Sequence, residues 1–193
     1  MLIIVSGFAG SGKSTLTEKL AKALGLKFVH ASDLLRQLKS KKTGKLDAEH
    51  TKSGSGWWES KEAEEYMKKR ENDSSMDERL DKELLKIAEK GSVVLDSWTL
   101  PWLSKKGFKI WLEASAETRA KRVAERDSIP FGKVKKKIVE RDKKTAAIYK
   151  RLYGFELGKD KKPFHLVIDT NNLNESQTFE IALNKIKEKM EVK

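Results

Sequence analysis

The sequence of 193 residues contains no cysteine and no long apolar run. The absence of cysteine excludes disulfide bonds, thiolate metal sites and a cysteine nucleophile. The apolar runs fall short of the roughly 18 residues that a membrane-spanning helix needs, and the opening MLIIVSG has neither the basic leader nor the cleavage site of a signal peptide. We therefore expect a cytoplasmic, monomeric protein with no membrane partner, built as one domain over residues 1–193.

Positive charge is abundant but unevenly distributed. The chain carries 41 basic and 29 acidic residues, a net charge of +12. The segment from Arg119 to Arg151 holds 13 basic and four acidic residues, and its apolar residues recur at helical spacing. Such a cationic helix could bind nucleic acid or close over the phosphates of ATP. Many of its lysines are also explained as the solvated side of that helix.

The stretch GFAGSGKST matches the phosphate-binding pattern G-x-x-x-x-G-K-[ST]. An apolar run precedes it and leucines at helical spacing follow it, as this loop requires. The alternative, a glycine-rich turn with a surface lysine, fits that context poorly. Lys13 is expected to reach the β- and γ-phosphates of ATP, and Ser14 to bind Mg²⁺. The nucleotide would lie in a nest formed by Gly7, Phe8, Ala9, Gly10, Ser11, Gly12, Lys13, Ser14 and Thr15.

Five short apolar segments separated by helical patterns predict an α/β fold. Most lie too far apart for hairpins, which favours a five-stranded parallel sheet covered by helices on both faces, the three-layer architecture of P-loop proteins. The helical patterns include 59–70, 76–90, 116–127 and 133–153, and a closing helix in which Met190 is expected to face inward. Because ligands bind at the carboxyl ends of such strands, the residues after each strand are the candidates for the site.

Asp96 follows one of these strands, in SVVLDSW. A carboxylate in this place suits a Mg²⁺ ligand beside Ser14, directly or through water, and the alternative is a cap on the next turn. Arg119, Arg122 and Arg126 share one predicted helix, where they could bind phosphate, stack on a purine or pair with acidic neighbours. Arg141 could arrive at the transferring phosphoryl group when the site closes, or remain a solvated cation.

The segments GFAGSGKST, ASDLLR, VVLDSW, RAKRVAERD, IVERDKK, IYKRLYGF and PFHLVIDT occur in an order that resembles the nucleoside monophosphate kinases. The chain is most similar to the cytidylate kinases of archaeal type, over nearly its whole length. The resemblance implies a mobile acceptor-binding insert at about 33–80 and a helical lid at about 129–157. It also implies an adenine-stacking residue, Arg122, phosphoryl contacts from Arg126 and Arg141, and acceptor-phosphate contacts from Arg36 with Ser32 or Asp33 nearby.

Two positions depart from the pattern of that family. Trp98 and Ile148 stand where the family usually carries arginines. These two differences leave the identity of the acceptor open. Trp98 could form an aromatic shelf for a base together with Trp57 and Trp58, although at least one of that pair is expected to pack the insert. Asp81 is either a partner for a cytosine amino group or a solvated helix carboxylate. Trp102 and Trp111 are assigned to packing, and no role is given to His30, His50 or His165.

The sequence as a whole predicts a kinase that uses ATP and Mg²⁺ and transfers the γ-phosphate to a nucleoside monophosphate. CMP or dCMP is the first acceptor to test. The alternatives are the same fold with another acceptor, such as AMP or a non-nucleotide, and a P-loop ATPase stimulated by RNA. No RNA-binding motif accompanies the cationic segment, so nucleic acid is the weaker alternative. An inactive binding module is weaker still, because the phosphate loop is complete.

Overall fold

The computed structural model describes residues 1–39 and 61–191 of the chain, with side chains from residue 65 onward in the second range. Trp57, Trp58 and His50 lie outside these residues, as does nearly all of the segment 39–56 that lacks apolar periodicity.

The described residues form five strands and eight helices. The strands are β1 (Leu2–Gly7), β2 (Lys27–His30), β3 (Val93–Asp96), β4 (Phe108–Glu113) and β5 (Leu166–Asp169). The helices are α1 (Lys13–Leu24), α2 (Ala31–Lys39), α3 (Lys61–Asn72), α4 (Ser75–Lys90), α5 (Leu100–Leu103), α6 (Ala116–Asp127), α7 (Phe131–Tyr153) and α8 (Glu175–Glu191).

All five strands belong to one parallel sheet, in the order β2-β3-β1-β4-β5. The central strand β1 pairs with β3 on one side, where Val5 lies opposite Asp96, and with β4 on the other. Because the strands are parallel, their carboxyl ends meet at one edge of the sheet, which carries the phosphate loop, Asp96 and the start of α2. The predicted parallel sheet is confirmed.

The two faces of the sheet are covered by different helices. In β1, Ile3 and Val5 pack with residues of α1 and α8, whereas Leu2 and Ile4 pack with residues of α2 and α4. This alternation produces the three-layer α/β/α arrangement. The inward placement predicted for Met190 in α8 is wrong, because its side chain is 53% exposed.

A further cluster, here called the aromatic cluster, joins α7 to the edge of the sheet. Its aromatic members are Phe8, Trp98, Trp102, Trp111, Tyr149, Tyr153, Phe155 and Phe164. Trp111 is fully buried and Trp102 stacks on Phe155 with ring centroids 4.1 Å apart, so both tryptophans pack as predicted. Ile148 is buried in the same cluster. None of the helices in the described ranges has the length and apolarity of a membrane span.

Candidate active site

The phosphate loop lies between β1 and α1. Gly10 and Gly12 have φ angles of 80° and 94°, which residues with a side chain rarely adopt. A Cβ atom on Gly10 would lie 2.8 Å from the carbonyl oxygen of Arg119, so the loop packs directly on α6. The buried Ser11 hydroxyl has no hydrogen-bond partner within the described chain. The loop leads into the N-terminus of α1, whose backbone N–H groups and dipole favour an anion.

Lys13 is the first residue of α1 and lines the cavity beside the loop. Its ammonium donates to the carbonyl oxygen of Phe8 at 2.9 Å, whereas the Phe8 ring packs edge-on against Trp111. Burial and, to a smaller extent, the charge of Arg141 lower the pKa of Lys13 to about 8, although Asp96 opposes the shift. A partly buried ammonium of this kind gains from an incoming phosphate.

Asp96 is the centre of a buried hydrogen-bond network. It accepts from the Ser14 hydroxyl at 2.9 Å and from the backbone N–H of Ala31 at 3.0 Å, and it contacts Nδ1 of His30 at 2.8 Å. The Ala31 contact means that Asp96 also caps a helix, although the helix is α2 and not the turn that follows β3. Burial raises the pKa of Asp96, but the hydrogen bond and charge of His30 outweigh it and the net pKa is low.

His30 has a structural role that its isolated position in the sequence did not suggest. Its Nε2 lies 3.0 Å from a carboxylate oxygen of Glu18, and its other ring nitrogen contacts Asp96. Burial lowers the pKa of His30, but Asp96 and Glu18 together raise it above the ordinary value. The imidazole therefore holds the Asp96 carboxylate in place, next to Ser14.

The hydroxyl of Ser14 and the carboxylate of Asp96 suit Mg²⁺, which prefers oxygen ligands and binds through one or two protein groups together with phosphates and water. The described residues contain no group of three or more histidine, aspartate or glutamate side chains arranged to hold a metal. The hydroxyl and the carboxylate fit a Mg²⁺ ion that completes its coordination with nucleotide phosphates and water.

The arginines of α6 have separate environments. Arg119 is buried and bonds to the carbonyl oxygens of Ala9 and Ala114, both at 3.1 Å, and to Asp142 at 2.6 Å. It thereby links the phosphate loop, β4 and α7. Arg122 does not line the cavity; it donates to the hydroxyl oxygen of Thr170, at the end of β5.

Arg126 and Arg141 both line the cavity, from α6 and α7. Arg126 is half-exposed and makes two bonds of 2.7 Å to Asp127. Arg141 is partly buried, and its Nε has no hydrogen-bond partner within the described residues. Burial lowers the pKa of Arg141 to about 10, although Asp142 opposes the shift, so the guanidinium stays charged at neutral pH. A partly desolvated cation with an unpaired N–H gains from an incoming anion.

The start of α2 contributes the residues expected at the acceptor phosphate. Ser32 and Arg36 line the cavity, and Arg36 forms an ion pair with the buried Asp33. Ser and Asp are common helix N-caps, but neither Ser32 nor Asp33 caps this helix, because α2 begins at Ala31 directly after β2. Both residues lie in the first turn instead.

The cavity of about 200 Å³ is also lined by residues that no motif or spacing in the sequence singles out. Arg70 and Asp77 form a buried ion pair, with Nε–Oδ2 at 2.9 Å and Nη2–Oδ1 at 2.7 Å. The hydroxyl of Tyr149 lies 3.4 Å from Asp77, and Tyr66 lines the same wall. Both members of the ion pair occur in polar helices, where charged residues are usually solvated.

Asp81 lies one helical turn beyond Asp77 and lines the same cavity. Its carboxylate accepts hydrogen bonds from the hydroxyls of Thr99 and Tyr153, the latter at 2.7 Å. Burial raises the pKa of Asp81 to about 6 despite these bonds. The interpretation of Asp81 as a solvated helix carboxylate is wrong, since the residue is 5% exposed.

The sheet order and the phosphate loop define the chain as a P-loop kinase, and solved structures agree with that fold. An uncharacterized protein from Eubacterium ventriosum superimposes with a TM-score of 0.68 at 14% identity, over 97% of this chain and 98% of the other. Shikimate kinase from Acinetobacter baumannii, in complex with shikimate, gives a TM-score of 0.58 at 16% identity, over 97% and 93% of the two chains. Similarity at these identities shows the fold alone.

Sequence comparison specifies the family. The model of the cytidylate kinase-like family matches residues 2–172. A cytidylate kinase from Sulfurisphaera tokodaii is 34% identical, over 94% of this chain and 92% of its own. One from Pyrococcus horikoshii is 32% identical, over 94% and 86%. The chain belongs to the cytidylate kinase-like family, which confirms both the resemblance and the enzyme class that it implied.

Proposed function

We propose that this protein transfers the γ-phosphate of ATP to a nucleoside monophosphate, with Mg²⁺ as cofactor and CMP or dCMP as the preferred acceptor. The observation that carries the proposal is the convergence of Lys13, Arg126 and Arg141 on one cavity that Arg36 and the buried carboxylates of Asp77 and Asp81 also line. Cations gathered in one cavity suit a phosphoryl group that passes from a donor to an acceptor.

On the donor side, the phosphate loop from Gly7 to Thr15 binds the triphosphate, and Arg122 stacks on the adenine. Lys13 contacts the β- and γ-phosphates, and Arg126 and Arg141 stabilise the charge that develops on the transferring group. Mg²⁺, held by Ser14 and Asp96, supplies further charge neutralisation when it is bound.

On the acceptor side, Arg36 binds the phosphate of the monophosphate, beside Ser32 and Asp33. The base lies deeper, towards α4. There the Asp81 carboxylate, with each oxygen already accepting one bond, retains lone pairs for a donor such as the amino group of cytosine. We propose the segments 33–80 and 129–157 as the acceptor-binding insert and the lid of a single monomeric kinase domain in the cytoplasm.

A P-loop kinase with a different acceptor is the second candidate, and Trp98 favours it. The indole lies at the phosphate end of the cavity, 5.8 Å from the ammonium of Lys13. It therefore occupies a place suited to an anion contact rather than a base shelf. AMP and non-nucleotide phosphates belong among the acceptors tested for this reason.

The test is ADP release from Mg·ATP with each ribo- and deoxyribonucleoside monophosphate, beside a reaction without acceptor. We expect release that depends on the acceptor and is fastest with CMP or dCMP. Lys13→Ala should abolish it without loss of helical circular dichroism, whereas Lys22→Ala, at an exposed position of the same helix, should retain it. Equal release in every well would contradict the proposal and indicate an ATPase, which should then be assayed with RNA.

A further inference from the structure

Trp98 is held against the phosphate loop by a direct hydrogen bond. It follows β3 by two residues, and its indole N–H donates to the carbonyl oxygen of Gly7 at 2.7 Å. The Tyr149 ring supports it edge-on, with centroids 6.4 Å apart. The position of the indole is therefore set relative to the loop that binds phosphate and to helix α7.

Two cations from two different helices lie at this ring. The ammonium of Lys13 in α1 is 5.8 Å from the ring centroid, and the guanidinium carbon of Arg141 in α7 is 5.2 Å from it. Both distances lie within the range of about 6 Å over which the electron-rich face of tryptophan attracts cations. The attraction is strongest where water is excluded, and burial lowers the pKa of both cations in this site.

An aromatic ring differs from an arginine in what it does here. An arginine would add a third positive charge next to Lys13 and Arg141, and it would bind the phosphate itself. A tryptophan adds no charge and offers no second donor, since its single N–H is already bonded to Gly7. It can therefore act on the phosphate through the two cations that it contacts and through the loop to which its N–H is bonded.

We propose that Trp98 is a positioning residue for phosphoryl transfer, whose ring holds the ammonium of Lys13 and the guanidinium of Arg141 together at the phosphate loop. The inference rests on the proposed function. It explains how Arg141 is oriented although its Nε has no hydrogen-bond partner among the described residues. It also explains how a site without an arginine at residue 98 keeps its cations in place before the substrates bind.

The test is a double-mutant cycle between Trp98 and Arg141. The kcat and the KM for ATP and for the acceptor are measured in the wild type, Trp98→Leu, Arg141→Ala and the double variant. We expect Trp98→Leu to lower kcat by about tenfold, as the loss of roughly 1–2 kcal/mol of cation attraction implies, with the acceptor KM changed less than twofold. In the Arg141→Ala background the same substitution should lower kcat by only about threefold, because one of its two partners is gone.

Trp98→Phe provides the conservative rescue, and Trp102→Phe the matched control. Phenylalanine keeps a ring face but loses the bond to Gly7, so its kcat should fall between those of the wild type and Trp98→Leu. Trp102 packs on Phe155 and Phe164 in the aromatic cluster, and its variant should stay within twofold of the wild type. Urea unfolding gives the folded fraction of each variant under the conditions of the assay. The kcat values are then compared per folded molecule, so that a loss of stability is not counted as a loss of activity.

Two results would overturn the inference. One is a Trp98→Leu effect of equal size with and without Arg141, and the other is an effect confined to the acceptor KM, which would place the indole on the acceptor. If the wild type phosphorylates no acceptor, the proposed function fails but the inference is still testable. Calorimetric titration with Mg²⁺ and a non-hydrolysable ATP analogue should then show about tenfold weaker binding to Trp98→Leu and the same coupling to Arg141; additive effects would overturn it.

Discussion

Arg119 is the arginine of α6 whose surroundings differ most from those of a solvated helix residue. It is 4% exposed, and each arm of its guanidinium has a defined partner: two backbone carbonyls and the carboxylate of Asp142. The carbonyl of Ala9 belongs to the phosphate loop, so Arg119 supports the site from behind rather than facing the substrate.

We expect Arg119→Ala to reduce the free energy of unfolding by about 3–5 kcal/mol, since it removes one partner of a buried ion pair and leaves Asp142 without its hydrogen-bonded cation. Urea unfolding measures this change. Arg79→Ala, at an exposed position of α4, is the control and should lie within about 0.5 kcal/mol of the wild type. A loss of similar size in both variants would contradict the structural role of Arg119.

The raised pKa of Asp81 predicts that the free energy of unfolding depends on pH. The pKa of its carboxyl in the folded chain is about 6, above the ordinary value of about 3.9. Burial causes this shift and the charge of Asp77 adds to it, while the hydroxyls of Thr99 and Tyr153 and the charge of Arg70 oppose it without removing it. The folded state therefore binds the proton more tightly than the unfolded state, and stability falls as the pH rises from about 4 to about 6, by roughly 2–3 kcal/mol.

Asp81→Asn should remove that dependence, because the amide does not titrate. Urea unfolding at pH 4 and at pH 7 measures the free energy of unfolding of both proteins. The difference, variant minus wild type, is expected to be roughly 2–3 kcal/mol larger at pH 7 than at pH 4. Glu89→Gln, at an exposed position of the same helix, should show no such trend. A constant difference between Asp81→Asn and the wild type would mean that Asp81 titrates like an exposed carboxylate.

At the scale of elements, α7 is fastened to α3 and α4 along much of its length. Lys144 pairs with Glu71 at 2.8 Å, and Arg151 donates to the backbone carbonyl of Glu71 at 2.9 Å. Nearer its C-terminus, the hydroxyls of Tyr149 and Tyr153 contact Asp77 and Asp81. The apolar repeat of this helix could be read from the sequence, but its partners could not, because the contacts join residues about 70 to 80 positions apart.

The turn after α7 reaches back to the phosphate loop. A Cβ atom on Gly158 would lie 2.5 Å from the Phe8 ring, and its φ angle is 83°. Gly158→Ala should therefore destabilise the fold by at least about 1–2 kcal/mol and weaken nucleotide binding through the displaced loop. Gly132→Ala, in the first turn of α7 with open space around it, should be neutral or stabilising. The Tm of each variant is measured by thermal unfolding with and without Mg·ATP. Equal Tm values and equal shifts in the two variants would contradict the contact of Gly158 with Phe8.

At the scale of the whole molecule, the α/β/α layers could be predicted from the sequence more completely than the residues of the active site. Apolar runs identified all five strands, and their spacing identified the parallel sheet. The phosphate loop could be recognised because its chemistry is local, within nine residues. Arg70, Asp77 and Tyr149 could not, because their burial depends on how α3, α4 and α7 pack together. His30 was missed for the same reason, since Glu18 and Asp96 approach it from distant parts of the chain.

Nucleotide binding should stabilise the entire fold. A ligand present at 100 times its dissociation constant adds about 2.7 kcal/mol to the free energy of unfolding, which corresponds to roughly 5–10 °C in Tm for a chain of this size. We expect that increase with Mg²⁺ and a non-hydrolysable ATP analogue. Lys13→Ala should show little of it. An equal increase in the variant would place the nucleotide elsewhere.

The central position of β1 has a consequence for biosynthesis. Leu2 pairs with Val93, and Ile3 with Phe108, so both neighbours of this strand are translated about ninety or more residues after it. Closing loops of that length is slow, because the entropy is lost before the contacts form. A nascent chain from which β4 has not yet emerged therefore carries the complete GFAGSGKST sequence without the sheet that shapes it. We expect ATP to stabilise only those chains that are long enough to include β4.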